Sequence, residues 1–189
     1  PRIGYIGVIK AQLDLKLLLG LATCHVGWSF VFVGPRNSLG RDALLVDKLF
    51  ELPNVHFLGH KPTEIACAYP QHMDVCLLPY VMNDYTKYIY PLKLHEYLAG
   101  GKPIVGRPIR SLLDFAHVIK LANTLEEWSQ ALADSLVPDA VSIDQIEKRR
   151  SIAKQVDWDT LVYEIACSIC TRLGSPYIEQ IAAQKLGTV

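Results

Sequence analysis

KLLLGLATCHVGWSFVFVGPR, Lys16 to Arg36, is the stretch on which the fold turns. No residue between its two ends carries a fixed charge, and a membrane span takes about 20 apolar residues. Its periodicity decides against a span. Leu13, Leu17, Leu18 and Leu21 share one helical face, His25 and Gly27 interrupt, and Trp28 to Val33 is a short aromatic and β-branched run. A buried helix, a turn and a buried strand account for the whole segment.

The same rhythm runs outward in both directions. Short apolar runs ending in Gly or Pro alternate with helical patterns, which marks a parallel sheet with crossover helices. Strands are expected at Arg2 to Val8, Ser29 to Val33, Val55 to Leu58, Val75 to Leu78, Ile104 to Gly106 and Val118 to Leu121. Helices are expected at Asp14 to Thr23, Arg41 to Leu52, Thr63 to Tyr69, Pro91 to Gly100 and Thr124 to Leu136. The central strands are apolar on both faces, so helices should cover both sides of the sheet. Thr124 and Glu127 spell a capping box, which makes that helix start well defined. From Ser142 three more helices are expected, with breaks near Val156 and at Gly174 to Pro176, wrapping the sheet. The expected architecture is one α/β domain over 1–189: a doubly wound core at 1–136 and a helical tail at 137–189.

The chain has 189 residues with 19 basic and 19 acidic side chains. A domain of this size buries about 70% of its unfolded surface and needs no disulfide or metal to hold a core. Balanced charge excludes a phosphate-tracking surface, so nucleic acid is not an expected partner. The five cysteines are odd in number and scattered, the usage of a reducing compartment. The opening PRIGYIGVIK reads as a strand already under way, in a piece of a longer chain, with neither signal nor transit character.

Ligands of open parallel sheets sit at the carboxyl ends of the strands. There the loop Pro79 to Tyr90 carries four tyrosines, an Asn, a Thr and a Lys, more length and polarity than a crossover needs. Pro91 suits the first position of the following helix. Lys93 and Glu96 are three residues apart and share a face, and Tyr97 lies four from Lys93. A cation in a first helical turn opposes the macrodipole unless an anion neutralises it, which points to a bound diphosphate. Glu96, one turn deeper, offers two acceptor oxygens to the paired hydroxyls of a ribose. The competing account is a surface ion pair, worth less than about 1 kcal/mol.

The run PLKLHEYLAGGKPIV, Pro91 to Val105, resembles the donor-binding helix of glycosyltransferases built from two facing Rossmann-like domains, the GT-B architecture, and more narrowly the bacterial group-one glycosyltransferases that assemble surface polysaccharides. Further landmarks follow the family's order: GYIGVI (Gly4 to Ile9), WSFVFVGP (Trp28 to Pro35), LPNVHFLGHKP (Leu52 to Pro62) and DVCLLPY (Asp74 to Tyr80). The resemblance covers Ile3 to Trp158.

It implies a Rossmann-like donor domain in which Glu96 holds the ribose, while Lys93 and the helix start at Pro91 and Leu92 meet the diphosphate beside Tyr97. Gly59 to Pro62, with His60 and Lys61, would cradle the base, and Asn83 to Thr86, with Tyr85, would form part of the sugar wall. Gly4 and Gly7 would let the first strand's end approach a phosphate, Gly7 being the stronger candidate. The implied ligand is a UDP- or GDP-linked sugar, with no obligatory cofactor or metal. The acceptor-binding N-terminal domain, and any general base, would lie outside this chain, and Lys93 would stabilise the leaving diphosphate. The implied setting is cytoplasmic, at the inner face of the membrane, with peripheral association of the intact enzyme and a glycan or lipid-linked acceptor. Many retaining members carry a second glutamate eight residues before the ribose one; here Tyr88 stands there, so retention or inversion is not legible. The basic pair that many members place after the first strand is reduced to Lys10.

Other patterns read as decoys. Asp157-Trp158-Asp159 matches a metal-binding D-x-D, but Asp157 or Asp159 serves better as a cap for a helix from Thr160. Cys167 and Cys170 have redox spacing inside a helical pattern without a second pair. Gly4-x-x-Gly7 lacks the rest of a dinucleotide fingerprint. His25, His56, His60, His72, His95 and His117 show no metal spacing. Two further readings compete: a sugar-nucleotide epimerase of the same architecture, which needs carboxylates and a histidine around the sugar, and a non-catalytic interaction module with a decayed site, which would bind no nucleotide.

Overall fold

The computed structural model describes residues 1–37, 39–155 and 158–173. Six parallel strands form one sheet: β1 (Arg2–Ile6), β2 (Ser29–Val33), β3 (Val55–Phe57), β4 (Val75–Leu78), β5 (Ile104–Gly106) and β6 (Lys120–Leu121), in the order β3-β2-β1-β4-β5-β6. The chain winds outward from β1 in one direction and from β4 in the other. Right-handed crossovers therefore put α1 (Leu15–Cys24) and α2 (Ala43–Phe50) on one face, and α4 (Lys93–Ala99) and α5 (Arg110–Leu113) on the other. The doubly wound sheet that the alternation of patterns implied is present, and β2, β4 and β5 have the expected bounds.

The opening stretch folds as read. Leu13, Leu17, Leu18 and Leu21 are all buried, as are Phe30, Phe32 and Val33 of β2. The turn between helix and strand is closed by Asn54, whose buried Nδ2 donates to the carbonyls of Ala22, His25 and Trp28 at 3.0 to 3.2 Å. No described helix is long and apolar enough to cross a membrane.

Several boundaries differ. β1 stops at Ile6 because Gly7 takes φ 145°. The helix expected from Arg41 begins with a 3-10 turn, Gly40–Asp42, before α2. The helix expected at Thr63 to Tyr69 is only α3 (Thr63–Ala66), followed by a separate 3-10 turn at Tyr69–His72 that contains Pro70. β6 keeps two of four expected residues, since turn hydrogen bonds from Val118 and Ile119 to Phe115 O divert the chain before Lys120. α5 and the 3-10 turns at Thr86–Tyr88 and Pro138–Val141 were not foreseen.

α6 (Leu125–Ser135) carries the expected capping box: Thr124 Oγ1 accepts from Glu127 N, and Glu127 Oε2 accepts from Thr124 N. Thr124→Ala should lower stability by about 1 kcal/mol, read as a shifted urea midpoint at constant slope; an unchanged midpoint would show the cap to be dispensable.

The chain forms two compact units, Pro1–Ser151 and Ile152 onward. α7 (Ile143–Lys154) belongs mainly to the first and α8 (Trp158–Leu173) to the second. The expected breaks at Val156 and Gly174 to Pro176, and the third late helix, lie outside the described residues, as does Asp157. Asp159 is in the first turn of α8 rather than at a cap before Thr160, and Cys167 and Cys170 are free thiols on that helix.

Candidate functional site

The strand order reverses between β1 and β4, and the crevice beyond their carboxyl ends is where an open sheet of this kind takes ligands. Three glycines end the three strands on one side of that point: Gly7 (φ 145°), Gly34 (φ 141°) and Gly59 (φ 68°). Backbone ties them into a floor, with Gly7 N donating to Val33 O at 2.7 Å and Gly34 N to Gly59 O at 2.8 Å. A Cβ on Gly34 would stand 2.2 Å from the Gly7 carbonyl oxygen, so no side chain fits there. Gly4, by contrast, lies inside β1 against Met73 and away from the edge.

α4 is held to this floor by Tyr97. Its side chain is 0% exposed, and its hydroxyl accepts from Ile6 N at 2.9 Å. Tyr97 therefore leaves the set of ligand contacts expected from the sequence and becomes the pin that fixes the helix to the end of β1. Pro91 needs a similar correction. α4 starts at Lys93, and Pro91 precedes the helix, its carbonyl accepting from Leu94 N at 2.9 Å. Among the described residues the Leu92 and Lys93 amides meet no protein acceptor, while Leu92 presents an exposed side chain. A seven-residue helix has a weak macrodipole, so the electropositive character of this edge rests mainly on lysine.

Lys93 lies across Gly7. A Cβ on that glycine would come within 2.0 Å of Lys93 Cε and 2.6 Å of Nζ. The ammonium sits 5.7 Å from the Tyr5 ring centroid, within cation–π reach. Burial pushes the Lys93 pKa down; the charge of Glu96 counters this in part, and Lys10 adds to it. Lys93 and Glu96 make no ion pair among the described residues, so the surface-pair account of their spacing fails. Glu96 is exposed and close enough to Tyr80 to help burial push that phenol up to about 12. Burial raises the Tyr5 phenol as well, and its hydroxyl donates to Val8 O at 3.2 Å. Two lysines, an unpaired carboxylate and a Cβ-free floor thus share one edge.

The loop after β4 is built rather than loose. Asn83 Oδ1 accepts from Tyr85 N at 3.0 Å and Thr86 N at 2.8 Å, and Thr86 Oγ1 bonds to Val81 O. Thr86 is 0% exposed, so it braces the loop instead of walling a ligand. Tyr85, Tyr88 and Tyr90 remain exposed. Tyr90 stacks on His95 with its hydroxyl 2.6 Å from Nε2, and Ser111 Oγ donates to Ile89 O at 2.7 Å, which docks the loop on α5. His60 and Lys61 follow β3, two strands from Gly7, with Gly59 O accepting from Gly34 N between them.

Sequence reasoning missed an ion pair. Arg107, just beyond β5, bonds to Asp14 Oδ2 and to the carbonyls of Tyr80 and Asn123, while Asp14 Oδ1 caps α1 through Leu17 N at 3.0 Å. The pair locks the ends of β4 and β5 to the start of α1. The sequence placed Asp14 only as the first residue of a helix, because 93 residues separate the partners. Gly34 was quoted within a landmark without being assigned a role, and the helix pin on Tyr97 carries no local signal. Among the described residues no group of three or more His, Cys, Asp or Glu could hold a metal.

Comparison with known proteins bears on both fold and family. The family described as "Glycosyl transferases group 1" matches residues 1–137. The putative teichuronic acid biosynthesis glycosyltransferase TuaH of Bacillus subtilis (strain 168) is 31% identical over 166 residues, 86% of this chain and 41% of that protein. Among solved structures, Anabaena Alr3699/HepE in complex with UDP and glucose superposes with a TM-score of 0.67 at 16% identity, covering 89% of this chain and 47% of the other. WaaG, a glycosyltransferase involved in lipopolysaccharide biosynthesis, gives 0.63 at 18% identity, covering 89% and 46%. This chain thus spans less than half the length of each of these relatives. A doubly wound sheet shared with those structures and a profile match through the end of β6 and α6 lead to one conclusion: the chain belongs to the group 1 glycosyltransferase family.

Proposed function

We propose that the edge around Gly7, Lys93 and Glu96 binds a nucleoside-diphosphate sugar, UDP- or GDP-linked, and that the chain is the donor-binding half of an enzyme building surface polysaccharide. The observation that carries this is Lys93: a cation desolvated on a bare glycine, with no ion pair to a carboxylate among the described residues. Diphosphate supplies the missing charge. Lys93 and the free amides of Leu92 and Lys93 hold it, Glu96 takes the ribose hydroxyls, and the Gly59 to Pro62 loop, with His60 and Lys61, borders the base. Asn83 and Tyr85 stand where the sugar would lie. In the transfer step the sugar–phosphate bond breaks, a bond to an acceptor hydroxyl forms, and Lys93 stabilises the departing diphosphate. If the transfer inverts, the acceptor's proton goes to a base on an N-terminal acceptor domain. The intact enzyme works in the cytoplasm on a glycan or lipid-linked acceptor, peripherally at the inner membrane face. The UDP and glucose in the Anabaena structure support this class of donor.

Titration with UDP, GDP and TDP is expected to give saturable binding of at least one, seen also as a thermal shift. Lys93→Met should weaken the diphosphate at least tenfold and leave the bare nucleoside unchanged. A bound anion raises the Lys93 pKa, so affinity should be full below the free-protein pKa and decline as pH rises through the bound-state one. The chain alone should transfer no sugar. Binding of none of the three would remove the donor-site assignment, and ordinary turnover by the chain would remove its assignment as half an enzyme.

A further inference from the structure

At the end of the sheet opposite Gly7, where β5 and β6 begin, Pro103, Ile104 and Val118 join residues of α6 and α7 around a cavity of about 290 Å³. Arg149 lines it. That residue is 6% exposed and makes no ion pair among the described residues. Its Nη1 donates to Gly101 O at 3.1 Å, while its buried Nε meets no acceptor. Burial holds the guanidinium pKa below its usual value. A buried cation without a counter-ion is costly to keep, and the planar fork of arginine matches a carboxylate or a phosphate.

The rest of the lining chooses between those two. Asp134, Asp139 and Gln145 offer oxygen acceptors, and Val118, Val137 and Ala140 give an apolar side. Asp134 is offset by Lys120 at 3.7 Å, whereas exposed Asp139 has no ion-pair partner among the described residues. The nearby Lys148 ammonium is engaged by His117 O at 3.1 Å. With Lys120, also in the lining, set against Asp134, the acid left over at Asp139 opposes the double charge of a phosphate dianion more than the single charge of a carboxylate, and both acids accept hydrogen bonds from hydroxyls. We propose that this cavity binds a carboxylate-bearing sugar unit, its carboxylate against Arg149, its hydroxyls on Asp134, Asp139 and Gln145, and its C–H face on Val118 and Val137. The volume suits one pyranose ring. Such a site lets the chain hold an acidic glycan at a distance from the donor edge.

The test is titration of the full chain with glucuronate, glucose and inorganic phosphate. Glucuronate should bind saturably and at least tenfold more tightly than either of the others, unchanged by saturating UDP or by Glu96→Ala. Arg149→Met should weaken it at least tenfold, and Asp139→Ala, on the exposed rim and safe for folding, at least threefold. Glucose binding as tightly would make this a neutral-sugar pocket, and phosphate binding as tightly a plain oxyanion site; either overturns the proposal. So does an absence of glucuronate binding, or indifference to both variants. UDP affinity, measured in the same protein, keeps this outcome separate from that of the donor edge.

Discussion

Replacing Glu96 with alanine is expected to weaken nucleoside-diphosphate binding by about 2 to 4 kcal/mol, roughly 30-fold to 1000-fold, the worth of two charged hydrogen bonds to ribose hydroxyls. The side chain is exposed on α4 and free of any ion pair among the described residues, so its removal should leave the melting temperature unchanged. That separates it from the pins beneath it. Glu96→Gln, which keeps the shape and one acceptor, should recover part of the loss. The 2′-deoxy form of the same nucleotide should bind the wild type more weakly and be almost blind to the substitution. An effect of Glu96→Ala below threefold would reject the ribose role.

The second large effect is on stability. Arg107 and Asp14 have side chains only 11% and 23% exposed, and Arg107→Met strands the aspartate together with the Tyr80 and Asn123 carbonyls. Breaking a buried pair from one side typically costs about 3 to 5 kcal/mol. Allowing for the partial exposure, the expected cost is about 2 to 4 kcal/mol, a fall in melting temperature of very roughly 5 to 15 °C for a chain this long. Asp14→Asn keeps an oxygen on Leu17 N and so retains the cap of α1. The double variant Asp14→Asn/Arg107→Met should therefore be more stable than Arg107→Met alone, and the cycle isolates the ionic part. A shift under about 0.5 kcal/mol for Arg107→Met would place this contact among surface pairs.

The two residues illustrate what could be read early and what could not. Lys93 and Glu96 were legible because helical spacing puts residues three apart on one face and a cation in a first turn needs a reason. Asp14 was legible only as the start of a helix, since its ionic partner comes from beyond β5. Tyr97 and Thr86 were misassigned for one shared reason. A polar group near a site looks like a ligand contact until its hydroxyl is seen to be spent on backbone, here on Ile6 and on Val81. Pro91 was placed two residues too far into the helix, because proline favours a helix start without specifying which residue of it.

Local patterning settled the sheet, its parallel sense and the buried helix-to-strand passage at Lys16 to Arg36, since side-chain periodicity and breaker residues act over a few positions. It also settled the chemistry on offer, a lysine and a carboxylate one turn apart beside a glycine-ended strand. Folding in three dimensions settled how those groups are arranged: Gly34 abutting Gly7, Lys93 lying over Gly7, Tyr97 consumed as a pin and Arg149, among the described residues, left without a counter-ion. The physical reason is range. Helical and strand periods are set by neighbours along the chain, whereas hydrogen-bond satisfaction and desolvation depend on contacts between residues as far apart as Ile6 and Tyr97, or Gly101 and Arg149.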